Sequence, residues 1–337
     1  MTYRIAINGF GRIGRNYLRR LTEKKFRDAG LEVVAINDLY DTATLAHLFE
    51  HDSTFGRLDA EVSSSDNELI VDGRRIPTFS RRSPEELPWA ELDVDLVIES
   101  TGKLRTRDDA ALHLKAGADR VLISAPGKGV DATLVPGVNA ETYDPARHQI
   151  ISAASCTTNC VAPLLKVLHE AFGIERGYLT TVHAYTNDQN VLDAPHKDPR
   201  RARAAGVNII PTSTGAAKAV GLVLPDLAGR LDGVALRVPV IDGSVSDLTL
   251  QFATEVTAEQ INEAVAAAAA GPELRDIIRY ADAPLVSSDI IGDPASCVFD
   301  ARLTQAQGRL AKVFGWYDNE WGYTSRLVDL TLQMARR

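Results

Sequence analysis

Three glycines near the N-terminus restrict what this chain can fold into. Gly9, Gly11 and Gly14 form a Gly-x-Gly-x-x-Gly pattern that follows the apolar run 5–8 and precedes a helical pattern from Arg15. Between a strand and a helix, such glycines permit a tight turn, close approach of a pyrophosphate to the backbone, and close packing of the helix. The helix N-terminus then offers amide N–H groups to phosphate. The pattern predicts a dinucleotide-binding domain; the alternative is a glycine-rich turn that binds nothing.

The pattern of apolar residues changes near residue 150. Before it, short β-branched runs alternate with helical patterns, which is typical of a parallel sheet covered on both faces. After it, longer strand patterns with few helices predict a mostly antiparallel sheet. We therefore expect an α/β fold: a Rossmann-type doubly wound parallel sheet domain over residues 1–155, then an α+β domain over residues 156–319. Within the first domain, Asp72-Gly73 predicts a hairpin turn.

Length and charge exclude several classes of protein. The 337 residues are enough for two domains, and 45 acidic against 37 basic residues give a net charge of −8. That balance argues against a nucleic-acid binder or an anionic-membrane binder, and no apolar run approaches the length of a membrane span. Three cysteines without the spacing of a zinc site predict no disulfide framework, no metal and a cytoplasmic location.

A carboxylate downstream of the glycines indicates which dinucleotide binds. Asp38 follows the second strand pattern, where a carboxylate can accept hydrogen bonds from an adenosine ribose and repel a ribose phosphate. It therefore favours NAD over NADP. Its alternative role is to cap the following helix, which Asp41 can also do.

The best candidate nucleophile is Cys156, because it stands where a strand gives way to a helical pattern. Amide groups at a helix N-terminus favour an anion and lower a thiol pKa. His183 ends a strand pattern just before a long loop, a position suited to a catalytic base. A buried apolar cysteine and a core histidine are the alternatives. We interpret Cys160 and Cys297 as structural.

Residues 185–237 collect groups that bind anions. The loop over 185–208 has no helical or strand periodicity and carries arginines, and hydroxyl residues and a glycine precede the next helical pattern. Arg237 stands on an otherwise apolar strand pattern and needs an acidic or anionic partner. A solvated charge cluster is the alternative for the loop arginines. We predict a locally basic phosphate site within an acidic protein.

Five segments together resemble the phosphorylating glyceraldehyde-3-phosphate dehydrogenases. They are residues 7–15 (Ile-Asn-Gly-Phe-Gly-Arg-Ile-Gly-Arg), 155–160 (Ser-Cys-Thr-Thr-Asn-Cys), 183–186 (His-Ala-Tyr-Thr), 211–219 (Pro-Thr-Ser-Thr-Gly-Ala-Ala-Lys-Ala) and 316–323 (Trp-Tyr-Asp-Asn-Glu-Trp-Gly-Tyr). The resemblance runs in order over nearly the whole chain. It implies a homotetramer, with the loop at a subunit interface, and a final helix over 320–337 that packs back on the first domain.

The resemblance also implies a mechanism. Cys156 attacks the aldehyde of a phosphorylated substrate to form a hemithioacetal, with His183 as the base. A hydride passes to NAD, and inorganic phosphate attacks the resulting thioester to give an acyl phosphate. The implied cofactor-binding residues are Gly9, Gly11, Arg12, Ile13, Gly14, Asp38, Arg81, Thr101, Ser124 and Asn319. The implied residues for the two phosphates are Thr186, Asp188 and Arg237 for the substrate, Ser155, Thr214, Gly215 and Arg201 for the attacking group, and Thr157 with them.

Three departures from the family pattern qualify these assignments. Ala153 replaces a common asparagine, Ala194-Pro195 is intermediate between NAD-specific and NADP-tolerant sequences, and Asp242-Gly243 replaces a more apolar pair. With Asp38 retained, we expect NAD to be preferred. Two rival functions remain open: an erythrose-4-phosphate dehydrogenase, and a non-catalytic NAD-binding protein.

Overall fold

The computed structural model describes residues 2–26 and 28–336, and its contacts divide the chain into two compact units. The first unit comprises Met1–Leu134, Ala140–Ala154 and Thr324–Arg337, and the second comprises Val135–Asn139 and Ser155–Tyr323. Among the described residues, no helix is both long enough and apolar enough to cross a bilayer.

The first unit is built on a nine-stranded sheet. Its elements are β1 (Tyr3–Asn8), α1 (Arg12–Leu21), β2 (Leu31–Asn37), α2 (Thr42–Glu50), β3 (His51–Asp52), β4 (Gly56–Arg57), β5 (Val62–Ser65), β6 (Glu68–Val71), β7 (Arg74–Phe79), β8 (Leu96–Glu99), α3 (Arg107–Lys115), β9 (Arg120–Ile123), β10 (Ala132–Thr133) and β11 (Ile150–Ser152). The strand order is β10-β11-β9-β8-β1-β2-β7-β6-β5, and β3 pairs with β4 separately.

The pairings from β10 to β7 are parallel, while β5, β6 and β7 form an antiparallel meander at one edge. The turn between β6 and β7 is the predicted hairpin, in which Asp72 and Gly73 have φ values of 49° and 78°. A core cluster containing Ala6, Val97 and the fully buried Trp89 packs around the central strands. Apolar residues therefore hold the carboxyl ends of β1, β2 and β8 at one edge, where the glycine motif lies.

The second unit is built on an eight-stranded mixed sheet. Its elements are α4 (Cys156–Phe172), β12 (Ile174–Ala184), β13 (Ile210–Ser213), α5 (Ala216–Val223), β14 (Leu231–Val238), β15 (Ser244–Phe252), α6 (Ala258–Ala270), β16 (Ile278–Ala281), β17 (Cys297–Asp300), β18 (Gln305–Gln307) and β19 (Leu310–Tyr317). The order is β13-β14-β12-β15-β19-β17-β16, with β18 on β19. The last helix, α7 (Trp321–Ala335), begins in this unit, and its residues from Thr324 belong to the first.

The predicted α/β fold class, a parallel sheet followed by a mostly antiparallel one, is confirmed. Two pairings of the second sheet, β12 with β14 and β16 with β17, are parallel. Helix α4 lies close to β19 because Gly315 has no side chain: a Cβ there would lie 2.7 Å from the Cys297 Sγ atom and 3.2 Å from that of Cys160. Both of these cysteines are buried, in agreement with their interpretation as structural. This packing fixes the N-terminus of α4 beside the end of β12.

Candidate active site

Cys156 is the first residue of α4. Ala154 adopts a left-handed backbone conformation, with φ of 56°, and the chain then enters the helix through Ser155. The Ser155 hydroxyl caps the helix by accepting a hydrogen bond of 3.1 Å from the Thr158 amide. A local turn and a cap therefore present the thiol at the helix N-terminus, as the sequence predicted.

His183, near the end of β12, is the neighbour of the thiol. Its Nε2 atom lies 3.4 Å from the Cys156 Sγ atom, and its Nδ1 atom lies 2.7 Å from the Ala184 carbonyl oxygen. The Arg237 Nη1 atom lies 3.0 Å from Nδ1 and 3.0 Å from the same carbonyl oxygen; with Arg237 donating to the carbonyl, Nδ1 can carry the ring proton and leave the Nε2 lone pair facing the thiol. The ring edge packs on Tyr317, whose hydroxyl bonds Thr157 and Thr181. The imidazole is thus held as a base.

The electrostatic environment disfavours the charged form of both groups. Desolvation raises the pKa of Cys156 above its ordinary value, although Arg237 and the groups of Thr157 oppose it. Desolvation, reinforced by the charge of Arg237, lowers the pKa of His183 to about 3. The expectation that the helix N-terminus lowers the thiol pKa is therefore wrong for this arrangement, because the loss of water around Sγ outweighs the helix amides. The pair is a thiol beside a neutral imidazole.

Arg237 lies beside this pair because β14 and β12 pair in register, with Arg237 opposite His183. Its Nη1 atom donates to the Ala184 carbonyl at 3.0 Å and to the Thr186 hydroxyl at 3.4 Å. Its Nε atom is buried and, among the described residues, meets no acceptor. A partly buried guanidinium with a buried, unpaired donor fits an anion such as a phosphate. The structure brings together Arg237, Thr186 and the Cys156–His183 pair.

Arg201 organises a second polar group. Its Nε atom donates to the Thr212 hydroxyl at 2.8 Å, and its Nη1 atom pairs with the carboxylate of Asp188. Asp188 was expected beside the substrate phosphate with Thr186 and Arg237, but here its carboxylate contacts Arg201. A carboxylate repels a phosphate, so this ion pair suits a role in holding Arg201 better than direct phosphate binding.

The remaining predicted phosphate residues lie at two helix starts. Gly215 precedes α5, with open space where a Cβ would stand, and the Thr214 hydroxyl accepts from the Ala216 amide at 3.2 Å. Ser155 caps α4. Thr157 is buried and its hydroxyl bonds Tyr317, so its side chain packs within the protein instead of facing an anion.

The three glycines of the first unit meet the steric needs of a pyrophosphate site. A Cβ on Gly9, whose φ is 94°, would lie 2.6 Å from the Thr101 nitrogen, and one on Gly14 would lie 2.2 Å from the Gly9 oxygen. Gly11 has nothing within 4 Å of its Cβ position, and α1 begins without a side-chain cap. The turn is therefore packed against the protein at Gly9 and Gly14 and open at Gly11. A backbone that is open at this point can accept the pyrophosphate of NAD.

Asp38 lies where β2 ends and turns its carboxylate to the glycine motif. It accepts hydrogen bonds from the Phe10 amide at 2.7 Å and the Tyr40 amide at 3.3 Å, and it is half-buried. Asp41, not Asp38, caps α2. Asp38 is therefore not needed as a helix cap and is available at this sheet edge to bind a ribose. Arg12, which pairs with Asp52, lies in the first turn of α1.

Two buried asparagines, which the sequence analysis missed, connect the neighbouring cofactor residues. Asn8 and Asn37 end the adjacent strands β1 and β2, and the Asn37 Nδ2 atom donates to Asn8 at 2.7 Å and to the Arg81 carbonyl at 2.9 Å. The Arg81 amide returns a bond of 2.8 Å to Asn37. An amide residue at the end of each of two parallel strands was the signal available in the sequence.

A buried acid supports Thr101 and Ser124. Glu99 accepts from the Thr101 amide at 2.9 Å and from Asn8 at 2.6 Å, and its backbone carbonyl accepts from the Ser124 amide at 2.9 Å. His113 lies 3.1 Å from the same carboxylate. This network holds two predicted cofactor residues at the carboxyl ends of β8 and β9.

Asn319 precedes α7 and is buried. Its Oδ1 atom accepts a hydrogen bond of 2.6 Å from Ser244, whose hydroxyl also accepts from the Ala184 amide at 3.1 Å. The alternative role for Asn319, capping the final helix, belongs to Asp318, whose carboxylate accepts from the Glu320 and Trp321 amides. Ser244 was not identified from the sequence, because its role depends on how β15 meets the chain before α7.

Comparison with known proteins agrees with this geometry. Residues 155–319 match the model for the C-terminal domain of glyceraldehyde 3-phosphate dehydrogenase, and residues 3–107 match the model for its NAD binding domain. The chain is 59% identical over 333 residues to a glyceraldehyde-3-phosphate dehydrogenase of Streptomyces coelicolor, covering 98% of each. It is 55% identical over 338 residues to that of Geobacillus stearothermophilus, covering 100% of this chain and 99% of the relative. The chain therefore belongs to the glyceraldehyde-3-phosphate dehydrogenase family of NAD-dependent oxidoreductases.

Proposed function

We propose that the protein converts D-glyceraldehyde 3-phosphate, NAD and inorganic phosphate to 1,3-bisphosphoglycerate, a reaction of glycolysis and gluconeogenesis. The observation that carries the proposal is the Cys156–His183 pair, 3.4 Å apart, beside Arg237, whose buried Nε atom has no acceptor among the described residues. A nucleophile, a base and an anion site within one pocket suit an aldehyde that bears a phosphate.

The thiol and the imidazole perform the covalent steps. His183 Nε2 accepts the thiol proton while Sγ attacks the aldehyde carbon, and the imidazolium then gives that proton to the oxygen of the hemithioacetal, which becomes a hydroxyl group. NAD, when bound, accepts the hydride. The hemithioacetal thereby becomes a thioester, and His183 takes up the hydroxyl proton. A phosphate oxygen then attacks the thioester carbon, so that the carbon–sulfur bond breaks and Cys156 leaves as a thiolate.

The anion-binding groups divide between the two phosphates. Arg237 and Thr186 bind the phosphate of the aldehyde, while Arg201, Thr214, Gly215 and Ser155 bind the attacking phosphate. Asp188 acts through its ion pair by holding Arg201 in place. A charge-assisted hydrogen bond contributes about 1.5 to 3 kcal/mol, so two or three of them are enough to hold a small anion.

NAD is bound mainly by the first domain. Gly9, Gly11 and Gly14, with Arg12 and Ile13, would hold the pyrophosphate at the N-terminus of α1. The carboxylate of Asp38 binds the adenosine ribose. Arg81, Thr101 and Ser124 would provide other contacts to the cofactor, and Asn319 would hold the nicotinamide amide. We thus assign cofactor binding to residues 1–155 with the final helix, 320–337, and the chemistry to residues 156–319.

The working form is a cytoplasmic homotetramer. The loop after β12 exposes Val191, Leu192, Val207 and Ile209. Clustered exposed apolar side chains are typical of a subunit interface, which supports the assignment of this loop to subunit contacts. All three cysteines are free thiols, which suits a reducing compartment.

An omission assay tests the function. NAD reduction should require the aldehyde and phosphate together, with the product trapped as an acyl phosphate by hydroxylamine. Turnover of erythrose 4-phosphate above that of glyceraldehyde 3-phosphate would identify the rival dehydrogenase. NAD binding without turnover of either aldehyde would identify a non-catalytic protein.

A further inference from the structure

The turn between β14 and β15 places an acid, Asp242, in the interior of the second unit. Its side chain has no exposed surface, and its Oδ1 atom accepts a bond of 2.8 Å from the Gly243 amide. Its Oδ2 atom is also buried, and no donor among the described residues reaches it. A buried carboxylate oxygen without a donor is costly, whereas a protonated one becomes a donor itself.

Asp318 provides the acceptor for that proton. Its carboxylate accepts three backbone hydrogen bonds, from Gly292 at 2.7 Å, Glu320 at 2.8 Å and Trp321 at 2.6 Å, and it interacts with the Asp242 side chain. Burial raises the pKa of Asp318 as well, but the three amide donors oppose this shift and make Asp318 the better charged partner of the pair. Two charged carboxylates in contact in a buried site would repel each other, so the proton of the pair belongs to Asp242.

The surroundings favour the same assignment. Burial and the negative charges of Asp318 and Glu320 raise the pKa of Asp242 to about 9. The adjoining segment 287–293 adds two acids: Asp289 accepts from the Val286 amide, and Asp293 pairs with Arg279.

This pair connects directly to Asn319. Gly243 has φ of 85°, and a Cβ there would lie 2.4 Å from the Ser287 oxygen, so the turn has little room to shift. The next residue, Ser244, donates to Asn319 at 2.6 Å, and Asn319 follows Asp318 in the chain. The Asp242–Asp318 contact and the Ser244–Asn319 bond therefore join the same two segments.

We propose that Asp242, in its protonated form, is a positioning residue for NAD that holds Asn319 by tying the turn 242–244 to Asp318. The inference rests on the proposed role of Asn319 in holding the nicotinamide amide. When Asp242 loses its proton, its contact with Asp318 becomes repulsive, the two segments separate, and Asn319 moves away from its binding position.

Binding of NAD then requires the protonated form. The apparent dissociation constant equals the intrinsic one divided by the fraction of protein in that form. With a pKa of about 9 for Asp242, the constant should rise roughly tenfold between about pH 8 and pH 10. Asp242→Asn keeps a donor toward Asp318 and has no proton to lose, so its affinity should stay flat over this range.

The experiment is calorimetric titration of the full-length protein with NAD from about pH 7 to pH 10. The matched control is Asp247→Asn, which removes a carboxylate from β15 that is paired with Lys312. The dissociation constant of NAD for this control should change with pH as it does for the wild type. If the dissociation constant of NAD rises with pH as much in Asp242→Asn as in the wild type, the proposed role of Asp242 is overturned and the proposed function stays intact. No binding of NAD by the wild type at about pH 7 would instead contradict the proposed function.

A second measurement does not depend on any variant. Infrared spectra of the NAD-free wild type near pH 7 should show the C=O stretch of a protonated carboxyl group, which disappears on titration through about pH 9. Absence of that band near pH 7 would overturn the proposal.

Discussion

The Nε2 atom of His183 lies 3.4 Å from the Sγ atom of Cys156, and the surroundings of both groups disfavour charge. Burial therefore favours the neutral form of each group in the NAD-free protein. In that form the thiol proton passes to His183 as Sγ attacks the aldehyde, which makes His183 the general base of this step.

The first prediction concerns alkylation of Cys156 by iodoacetamide. Because the pKa of this thiol is raised, its thiolate fraction at pH 7 should be below the roughly 3% of an ordinary cysteine. The alkylation rate of the NAD-free protein should therefore rise at a higher pH than that of free cysteine. Cys156→Ser identifies the signal from this residue. A rate profile on the acidic side of free cysteine would contradict the neutral pair.

The second prediction concerns Arg237. Arg237→Ala removes the guanidinium next to Thr186, and the loss of one or two charge-assisted bonds should raise KM for the phosphorylated aldehyde by about tenfold to a hundredfold. Turnover of unphosphorylated glyceraldehyde should change much less. Arg203→Ala is the control, since Arg203 forms an exposed ion pair with Asp193. Equal losses with both aldehydes would show that Arg237 does not select for phosphate.

The glycine motif yields a third prediction, which separates folding from binding. Gly14→Ala places a Cβ atom 2.2 Å from the Gly9 carbonyl oxygen. This overlap should destabilise the protein by about 3 kcal/mol. Gly11→Ala meets open space and should leave stability nearly unchanged, but its methyl group should obstruct the pyrophosphate and weaken NAD binding. Urea unfolding and NAD titration of both variants measure the contrast. Equal stabilities would refute the steric argument.

Features that depend on neighbouring residues could be predicted from the sequence, whereas features that depend on long-range contacts could not. Gly9, Gly11 and Gly14 were identifiable because their requirements arise within one strand–turn–helix segment. Ser244 was not, since its contact with Asn319 joins residues 75 positions apart in the chain.

The protonation state of Cys156 could not be inferred from the sequence either. A pattern of residues shows that the thiol begins a helix, but it does not show how much water the folded chain removes from Sγ. Similarly, the register that sets Arg237 opposite His183 is a property of the assembled sheet.

The fourth prediction concerns cofactor preference. The Asp38 carboxylate should repel the ribose phosphate of NADP, so kcat/KM should favour NAD by about tenfold or more. Asp38→Asn keeps an acceptor for the Phe10 amide and removes the charge. It should lower the ratio of kcat/KM with NAD to kcat/KM with NADP. Asp41→Asn is the matched control, because Asn also caps α2. Rates with NADP equal to those with NAD in the wild type would contradict this role of Asp38.

The fifth prediction follows from linkage between protonation and folding at Asp242. Its pKa is about 9 in the folded protein and about 3.9 in an unfolded chain, so the folded state holds a proton that the unfolded state releases. The stability that this proton contributes is full below about pH 4 and is lost as pH rises toward about 9, by up to about 1.4 kcal/mol per pH unit. Asp242→Asn should not show this loss.

The difference in unfolding free energy between Asp242→Asn and the wild type should therefore grow with pH in favour of the variant, as measured by urea unfolding at several pH values. Asp247→Asn should show no such trend, since its carboxylate is partly exposed and forms an ion pair with Lys312. A constant difference between Asp242→Asn and the wild type would mean that Asp242 is charged in the folded protein. A charged Asp242 would need a donor or a positive group to offset the repulsion from Asp318. No such group among the described residues contacts its buried Oδ2 atom.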